Sequence, residues 1–425
     1  VPGAMDTAVL GGVGPYVVSV NATTTVGGAM LPNPEAVLLV SPSRNLTVGD
    51  SAGTGTILVN NGMSTATSTL FIADDAVFDS VVRLNDGSGT SDAEIRTTSG
   101  ASVPLMLGEN GRITGQGRIR SPIVGGTIRG GAGELDIFVQ ITDALIEAGP
   151  DAIFNTNAST VISSSTIRGL WQIQPGQSIT LGTNVVVEDG ILVNNGMSTA
   201  TSTLFIADDA VFDSVVRLND GSGTSDAEIR TTSGASVPLM LGENGRITGQ
   251  GRIRSPIAGG GTLAPGVGPD GVGLLVPSGF DLSENARIEI DAAGTAPSEY
   301  DRLDGSGAVT LDGSLDVNFV EGYVPDPKDQ YEIISATTVD GFFRQTTIEP
   351  VGDIGPAHVV YTGDSVIVVI CAADRDADGE LTIFDFLAFQ NLFDSGDLRA
   401  DLDQDGQLTI FDFLTYQNRF DAGCG

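Results

Sequence analysis

One stretch of this chain is written twice. Residues 57–123 read ILVNNGMSTATSTLFIADDAVFDSVVRLNDGSGTSDAEIRTTSGASVPLMLGENGRITGQGRIRSPI, and residues 191–257 read the same, letter for letter. A closed globular core rarely admits a second copy of a piece this long, because each core side chain packs against its own set of neighbours. A solenoid does admit one, since every turn touches only the turns beside it. The copies begin 134 residues apart. That interval divides into six coils of roughly 22 residues, so both copies would stack in the same rotational phase.

The local pattern agrees with stacked strands. Short apolar runs such as Tyr16–Val20, Ala36–Val40, Asn45–Val48, Ile57–Val59 and Leu70–Ile72 end at Asn, Asp, Gly or Pro. Those residues make tight or left-handed corners at low conformational cost. The spacer between the copies continues the rhythm at Thr127–Arg129, Ile137–Ile141, Val161–Ser163, Ser178–Leu181 and Val185–Val187. Residues 144–148 (ALIEA) are the one weak helical candidate. Gly accounts for 57 of 425 residues and aromatic residues for only 6%. This composition favours short β-strands over helices. The fold class expected from these signals is mainly β, with a parallel β-helix over residues 1–260 and a small helical domain over 371–425.

Charge narrows the function classes. Acids number 54 against 20 bases, a net charge of −34, and Lys328 is the single lysine. Such a surface repels nucleic acid and anionic membrane faces and suits divalent cations. Acid-rich adaptation to salty surroundings would produce the same excess. No apolar run approaches the length of a membrane span. The chain starts at Val1 rather than Met, so a mature or truncated form is expected. Its two cysteines, Cys371 and Cys424, flank the last 55 residues. They read as a clasp on one small domain in an oxidising compartment, or as two free thiols.

From Gly261 the sequence changes character. GTLAPG at 261–266 is followed by EYDRL at 299–303, LDGSLDV at 311–317, GYVP at 322–325, YEIISA at 331–336 and GFF at 341–343. This ordered series resembles the end of autotransporter-type passenger β-helices. The resemblance covers about 85 residues and implies a right-handed parallel β-helix closed by a β-rich cap over residues 261–370. Val360–Ile370 is expected to form one final strand.

The chemistry concentrates in the tail. Residues 374–385 (DRDADGELTIFD) and 401–412 (DLDQDGQLTIFD) both follow the pattern D-x-D-x-D-G-x5-D. A hard cation such as calcium takes six to eight oxygens, which carboxylates at positions 1, 3, 5 and 12 and a carbonyl at position 7 supply. The candidate ligands are Asp374, Asp376, Asp378, Glu380 and Asp385, then Asp401, Asp403, Asp405, Gln407 and Asp412, for two calcium ions. Each loop opens a short helix, and LTIFDFLAFQNLFD at 381–394 matches LTIFDFLTYQNRFD at 408–421 in 11 of 14 positions. Ile383, Phe386, Leu387 and Phe393 recur as Ile410, Phe413, Leu414 and Phe420, an apolar helix face expected to form the core of so small a domain.

A duplicated loop followed by a helix, with Asp at position 12, resembles a type I dockerin. The closing Gly-Cys-Gly resembles the tails of GC-type dockerins. The resemblance implies calcium dependence and an anchoring or sorting role, with a cohesin-like or cell-envelope protein as partner. Dockerins of this type usually carry small hydroxyl residues at loop positions 10 and 11, the partner-contacting positions. Here these are Ile383-Phe384 and Ile410-Phe411.

Parallel β-helices also host polysaccharide lyases and hydrolases. Such chemistry needs clustered carboxylates with a histidine or a cationic base. The only histidine is His358, in a strand-like context beyond the repeats. Asp74-Asp75 with Arg83, and their copies Asp208-Asp209 with Arg217, are the nearest approach to a lyase site, and they read first as turn acids beside a solvated arginine. No G-x-S-x-G, HExxH or Walker motif is present. The expectation is therefore a non-catalytic, extracellular or cell-surface bacterial protein serving adhesion, coat or scaffold. A polysaccharide or surface ligand is the partner expected for the solenoid, with no nucleic acid and no membrane insertion. A polysaccharide-degrading enzyme carried by the same tail is the alternative.

Overall fold

The structure is a computed structural model. It describes all residues except 1–2, 61–65, 86–92, 149–151, 157–159, 194–199, 220–226, 267–270, 321, 349–356, 403–405 and 425. The chain divides into two compact units, Val1–Gly234 and Ala235–Gly425.

The first unit is a stack of parallel strands. Partners lie about one sequence period apart: Thr7 is opposite Gly28, Tyr16 opposite Ala36, Asn45 opposite Thr69, and Ser68 opposite Ala93. Inward-facing positions then align from strand to strand. One column runs Ile57, Val82, Ile113, Ile128, Ile146, Ile167. A second runs Leu46, Leu70, Ile95, Ile119, Ile137. A third runs Leu105, Ile123, Ile141, Ile162, Leu181, Ile206. All these side chains are buried. β-Branched residues suit such columns because their restricted rotamers interlock on a pleated surface. Each fully buried Ile, Leu or Val contributes about 1.5–3 kcal/mol before entropy is counted.

The column explains one departure from the sequence reading. Residues 144–148 hold a strand, Leu145–Glu147, and no helix. Leu145, Ile146 and Glu147 pair on one side with Thr127–Arg129 and on the other with Thr166–Arg168. A seat between two existing strands outweighs the weak helical preference of ALIEA. Some strands are also longer than the apolar runs that announce them: Asn45–Val48 and Ile57–Val59 belong to one strand, Asn45–Val59, of 15 residues.

The two copies of the repeat share most of their elements. Ser68–Ile72 recurs as Ser202–Ile206, Ala93–Thr97 as Ala227–Thr231, Leu105–Leu107 as Leu239–Leu241, and Arg112–Ile119 as Arg246–Ile253. The agreement is not complete: the nine-residue strand Val77–Asn85 of the first copy is matched in the second by two shorter ones, Val211–Phe212 and Val215–Asn219.

The second unit opens with further parallel strands. Ile247 stands opposite Leu263, Leu263 opposite Ile288, and Ile288 opposite Leu315. The pairing then reverses. Gln330–Ser335 and His358–Tyr361 both flank Ser365–Val369 antiparallel. Val360–Ile370 is thus not one strand. It breaks at Thr362, whose hydroxyl accepts the N–H of Ser365 at 2.8 Å and donates to Asp364. Beyond Ile370 come two helices, α1 (Ile383–Ser395) and α2 (Ile410–Ala422). Among the described residues no helix is long and apolar enough to cross a membrane.

Candidate metal centre

Both tail helices start in the same way. Thr382 caps α1 by accepting the Phe384 N–H, and Asp385 returns a bond to the Thr382 N–H. Thr409 and Asp412 repeat this at α2. Reciprocal caps satisfy N–H groups that the first helical turn leaves unpaired. The helices meet through aromatic rings. Phe389 stacks on Tyr416 with centroids 4.1 Å apart, and Phe386 meets Phe413 edge-on at 5.7 Å. Phe389, Ala400 and Tyr416 are fully buried. The Tyr416 hydroxyl donates to the Ala373 carbonyl at 3.0 Å, which ties α2 to the chain just before the first loop. Cys371 and Cys424 form a disulfide, with Cα atoms 5.1 Å apart, that joins the two ends of the module.

The helix face read from the sequence is only partly core. Phe386, Phe393, Phe413 and Phe420 pack inward. Ile383, Leu387, Ile410 and Leu414 do not: Ile383 is 62% and Ile410 60% exposed. The neighbouring Phe384 and Phe411 are 65% and 67% exposed. The ring positions of Phe389 and Tyr416, a further turn along, fill the centre instead. The packing stripe is therefore rotated from the one the sequence suggested, and an apolar strip on each helix faces outward.

In the first loop, carboxylate oxygens of Asp374, Asp376 and Asp378 lie within 4.8 Å of one another. Gly379, at position 6, has φ +79°, and Gly406 in the second loop has φ +82°. Glycine is favoured there because the chain must turn through the left-handed region. The turn brings the Gly379 N–H to Asp374 Oδ2 at 3.0 Å and the Gly406 N–H to Asp401 Oδ2 at 2.8 Å. The second oxygen of each position-1 carboxylate, Asp374 Oδ1 and Asp401 Oδ1, is buried and has no hydrogen-bond partner among the described residues. Burying an acceptor without a partner is unfavourable. That the same atom is left open in both loops marks the place where a cation would bind.

Charge points the same way. Burial raises the pKa of Asp374, and Asp385 and Asp376 add to the rise. Burial likewise raises Asp376, followed by the charges of Asp385 and Asp378. Negative groups that repel one another while partly desolvated are relieved by a divalent cation. The donors are oxygens only, which suits calcium or magnesium rather than a softer metal. The residues present thus fit the group that the spacing implies.

The remaining expected ligands take different positions. Asp385, fully buried, accepts the N–H groups of Arg375 at 2.7 Å and of Thr382 at 2.8 Å. Asp412 accepts those of Leu402 at 2.8 Å and Thr409 at 2.9 Å. Both position-12 carboxylates brace the loop backbone in this arrangement. Glu380 turns its side chain to solvent, and its N–H donates to Asp378 Oδ1 at 2.8 Å. Asp401 and Gln407 are placed on the second loop, and Asp403 and Asp405 lie outside the described residues.

Three neighbours carried no sequence signal. Arg375, at loop position 2, lies 5.7 and 5.6 Å from the Phe389 and Tyr416 ring centroids, a cation–π clamp beneath the loop. His358 has its ring nitrogens buried, and burial with the nearby Arg375 and Arg419 charges holds it well below its ordinary pKa. Gln330 reaches the first loop from a strand 44 residues earlier, with Nε2 3.3 Å from Asp374 Oδ2.

Of the lyase-like candidates in the repeat, the acids Asp74-Asp75 and Asp208-Asp209 lie in turns, while Arg83 and Arg217 stand on the strands Val77–Asn85 and Val215–Asn219. Asp74 accepts the Thr98 hydroxyl at 2.7 Å, the Ser99 N–H at 2.8 Å and the Ser99 hydroxyl at 2.5 Å. Asp208 makes the same three bonds to Thr232 and Ser233. These bonds, led by those from Ser99 and Ser233, hold both carboxyls below their ordinary pKa. No protein-family model and no curated protein matches this chain.

Proposed function

We propose that this is a secreted, non-catalytic display protein, held at the outside of the cell by a calcium-loaded tail. The parallel strands would wind as a right-handed β-helix whose acidic outer faces form the displayed surface. The tail would act as a dockerin-like module with one calcium ion in each loop.

One observation carries the reading: each loop leaves its buried position-1 oxygen open, and the helix that follows it presents the same exposed apolar strip. The strips are Ile383, Phe384 and Leu387 on α1, and Ile410, Phe411 and Leu414 on α2. Large apolar side chains exposed in duplicate at the partner-contacting positions favour a protein partner with an apolar face, either a cohesin-like or a cell-envelope anchoring protein. The disulfide supports an oxidising compartment. What weighs against the enzyme reading is that Asp74 and Asp208, two of its four candidate carboxylates, accept hydrogen bonds from residues 98–99 and 232–233.

The test is retention on the envelope fraction of the producing bacterium. The full chain is expected to sediment with envelopes in millimolar calcium and to leave them when calcium is chelated. A variant carrying Ile383→Ser, Phe384→Ser, Ile410→Ser and Phe411→Ser should bind calcium and remain in solution. Retention that ignores both calcium and these substitutions would refute the anchoring role. Turnover of an acidic or neutral polysaccharide would refute the non-catalytic one.

A further inference from the structure

The two loops share a sequence pattern but not an environment. Asp374 is 1% exposed, whereas Asp401 is only partly buried. Asp374 Oδ2 accepts two bonds, one from Gly379 within its loop and one from Gln330 outside it. Asp401 Oδ2 accepts the bond from Gly406, and among the described residues it has no outside donor. Gln330 belongs to the antiparallel cap, where it lies opposite Val369. The next link is backbone: the Ile370 N–H donates to the Asp329 carbonyl at 3.1 Å. Beside it Val369, Cys371 and Ala373 pack with Val360 and Ile367 of the cap and with Leu381, Phe420 and Cys424 of the tail.

A carboxylate that binds metal through one oxygen is oriented by what holds the other. Such outer partners typically alter metal affinity by about tenfold to a hundredfold. Gln330 is placed to do this for one loop only. Its amide N–H also suits the role, since it donates to a carboxylate without adding charge.

Resting on the metal-binding reading above, we propose that Gln330 is a positioning residue for the first loop, so that a calcium ion there is coupled to the cap strand Gln330–Ser335 while an ion in the second loop is not. The two sites are then unequal: the first fastens the tail to the cap, and the second is free of it. Coupling of this kind is reciprocal, so metal in the first loop also steadies the cap.

The experiment uses the full chain and calcium itself. Asp401→Asn leaves the first site to be titrated alone, and Asp374→Asn leaves the second. Gln330→Met keeps the side-chain length and removes the donor. In the Asp401→Asn background it should weaken calcium binding about tenfold or more. In the Asp374→Asn background it should change nothing. Hydrogen exchange supplies a readout beyond affinity. Calcium should slow exchange in Gln330–Ser335 when the first site is intact, should fail to do so with Asp374→Asn, and should slow it less with Gln330→Met. If the unaltered chain binds two ions and Gln330→Met leaves both affinities and the exchange pattern unchanged, the positioning role is wrong while the metal reading stands. Equal weakening of both sites also overturns it, by showing a general loss of structure. An unaltered chain that binds no calcium overturns both.

Discussion

Removing the disulfide is the perturbation whose size follows most directly from the fold. Cys371 and Cys424 are 53 residues apart in sequence. Closing a loop of that length lowers the entropy of the unfolded chain enough to stabilise the fold by about 4 kcal/mol. Among the described residues, the apolar cluster between its helices has three fully buried side chains, Phe389, Ala400 and Tyr416. A domain this small has only a few kcal/mol of net stability from its core. The substitution Cys371→Ala with Cys424→Ala should therefore leave the metal-free tail largely unfolded. Two signals separate the effect. The α-helices among the described residues are α1 and α2, so helical circular dichroism follows the tail. Trp171, the single tryptophan, is buried in the first unit, so its fluorescence follows the strands there. Urea titration in chelator should show the helical transition lost or moved to much lower urea, with the tryptophan transition unmoved. Saturating calcium should restore part of the helix, since a ligand bound only to the folded state stabilises it by mass action. A helical transition within about 0.5 kcal/mol of the unaltered protein would refute the reasoning, because it would show that the clasp constrains nothing.

Two further substitutions test the strand stack and its buried acid. Gly169 has φ +84°, and a Cβ there would lie 1.8 Å from the Ala148 carbonyl oxygen. Gly169→Ala should destabilise the first unit by more than about 2 kcal/mol, read by Trp171 fluorescence; an unchanged midpoint would contradict the turn geometry. Asp301 is 1% exposed and accepts the Gly273 and Asp291 N–H groups, and burial pushes its pKa up to about 8. The folded state therefore holds this proton more firmly than the unfolded chain, so this group's contribution is fully present below about pH 4 and is lost as pH rises toward 8. Asp301→Asn should destabilise the second unit by about 1–3 kcal/mol at acidic pH, because its amide sets a donor against an N–H. It should also flatten the fall in thermal midpoint between about pH 4 and 8, and parallel pH profiles for the two proteins would refute the assignment.

Much of the architecture could be read from local signals, and the failures share a cause. Runs such as Thr127–Arg129 and Val161–Ser163 announce strands because apolar residues between turn-formers have few other solutions. The convergence of Asp374, Asp376 and Asp378 follows from spacing alone, as does the cap that Asp385 and Asp412 place on each helix. Residues 144–148 were ambiguous locally, and the neighbouring strands decided them. The outward turn of Ile383 and Leu387 was hidden for a related reason: periodicity finds an apolar stripe but does not say which of two overlapping stripes meets the partner helix. Arg375 beneath its rings and Gln330 beside Asp374 had no local signature, since each matters through a contact made only after folding.

Calorimetric titration of calcium into the full chain, previously stripped with chelator, tests the central claim most directly. The account predicts two bound ions, the loss of one with Asp374→Asn and of the other with Asp401→Asn, and a gain in thermal stability of the helical signal on binding. No heat of binding and no stabilisation at millimolar calcium would contradict it.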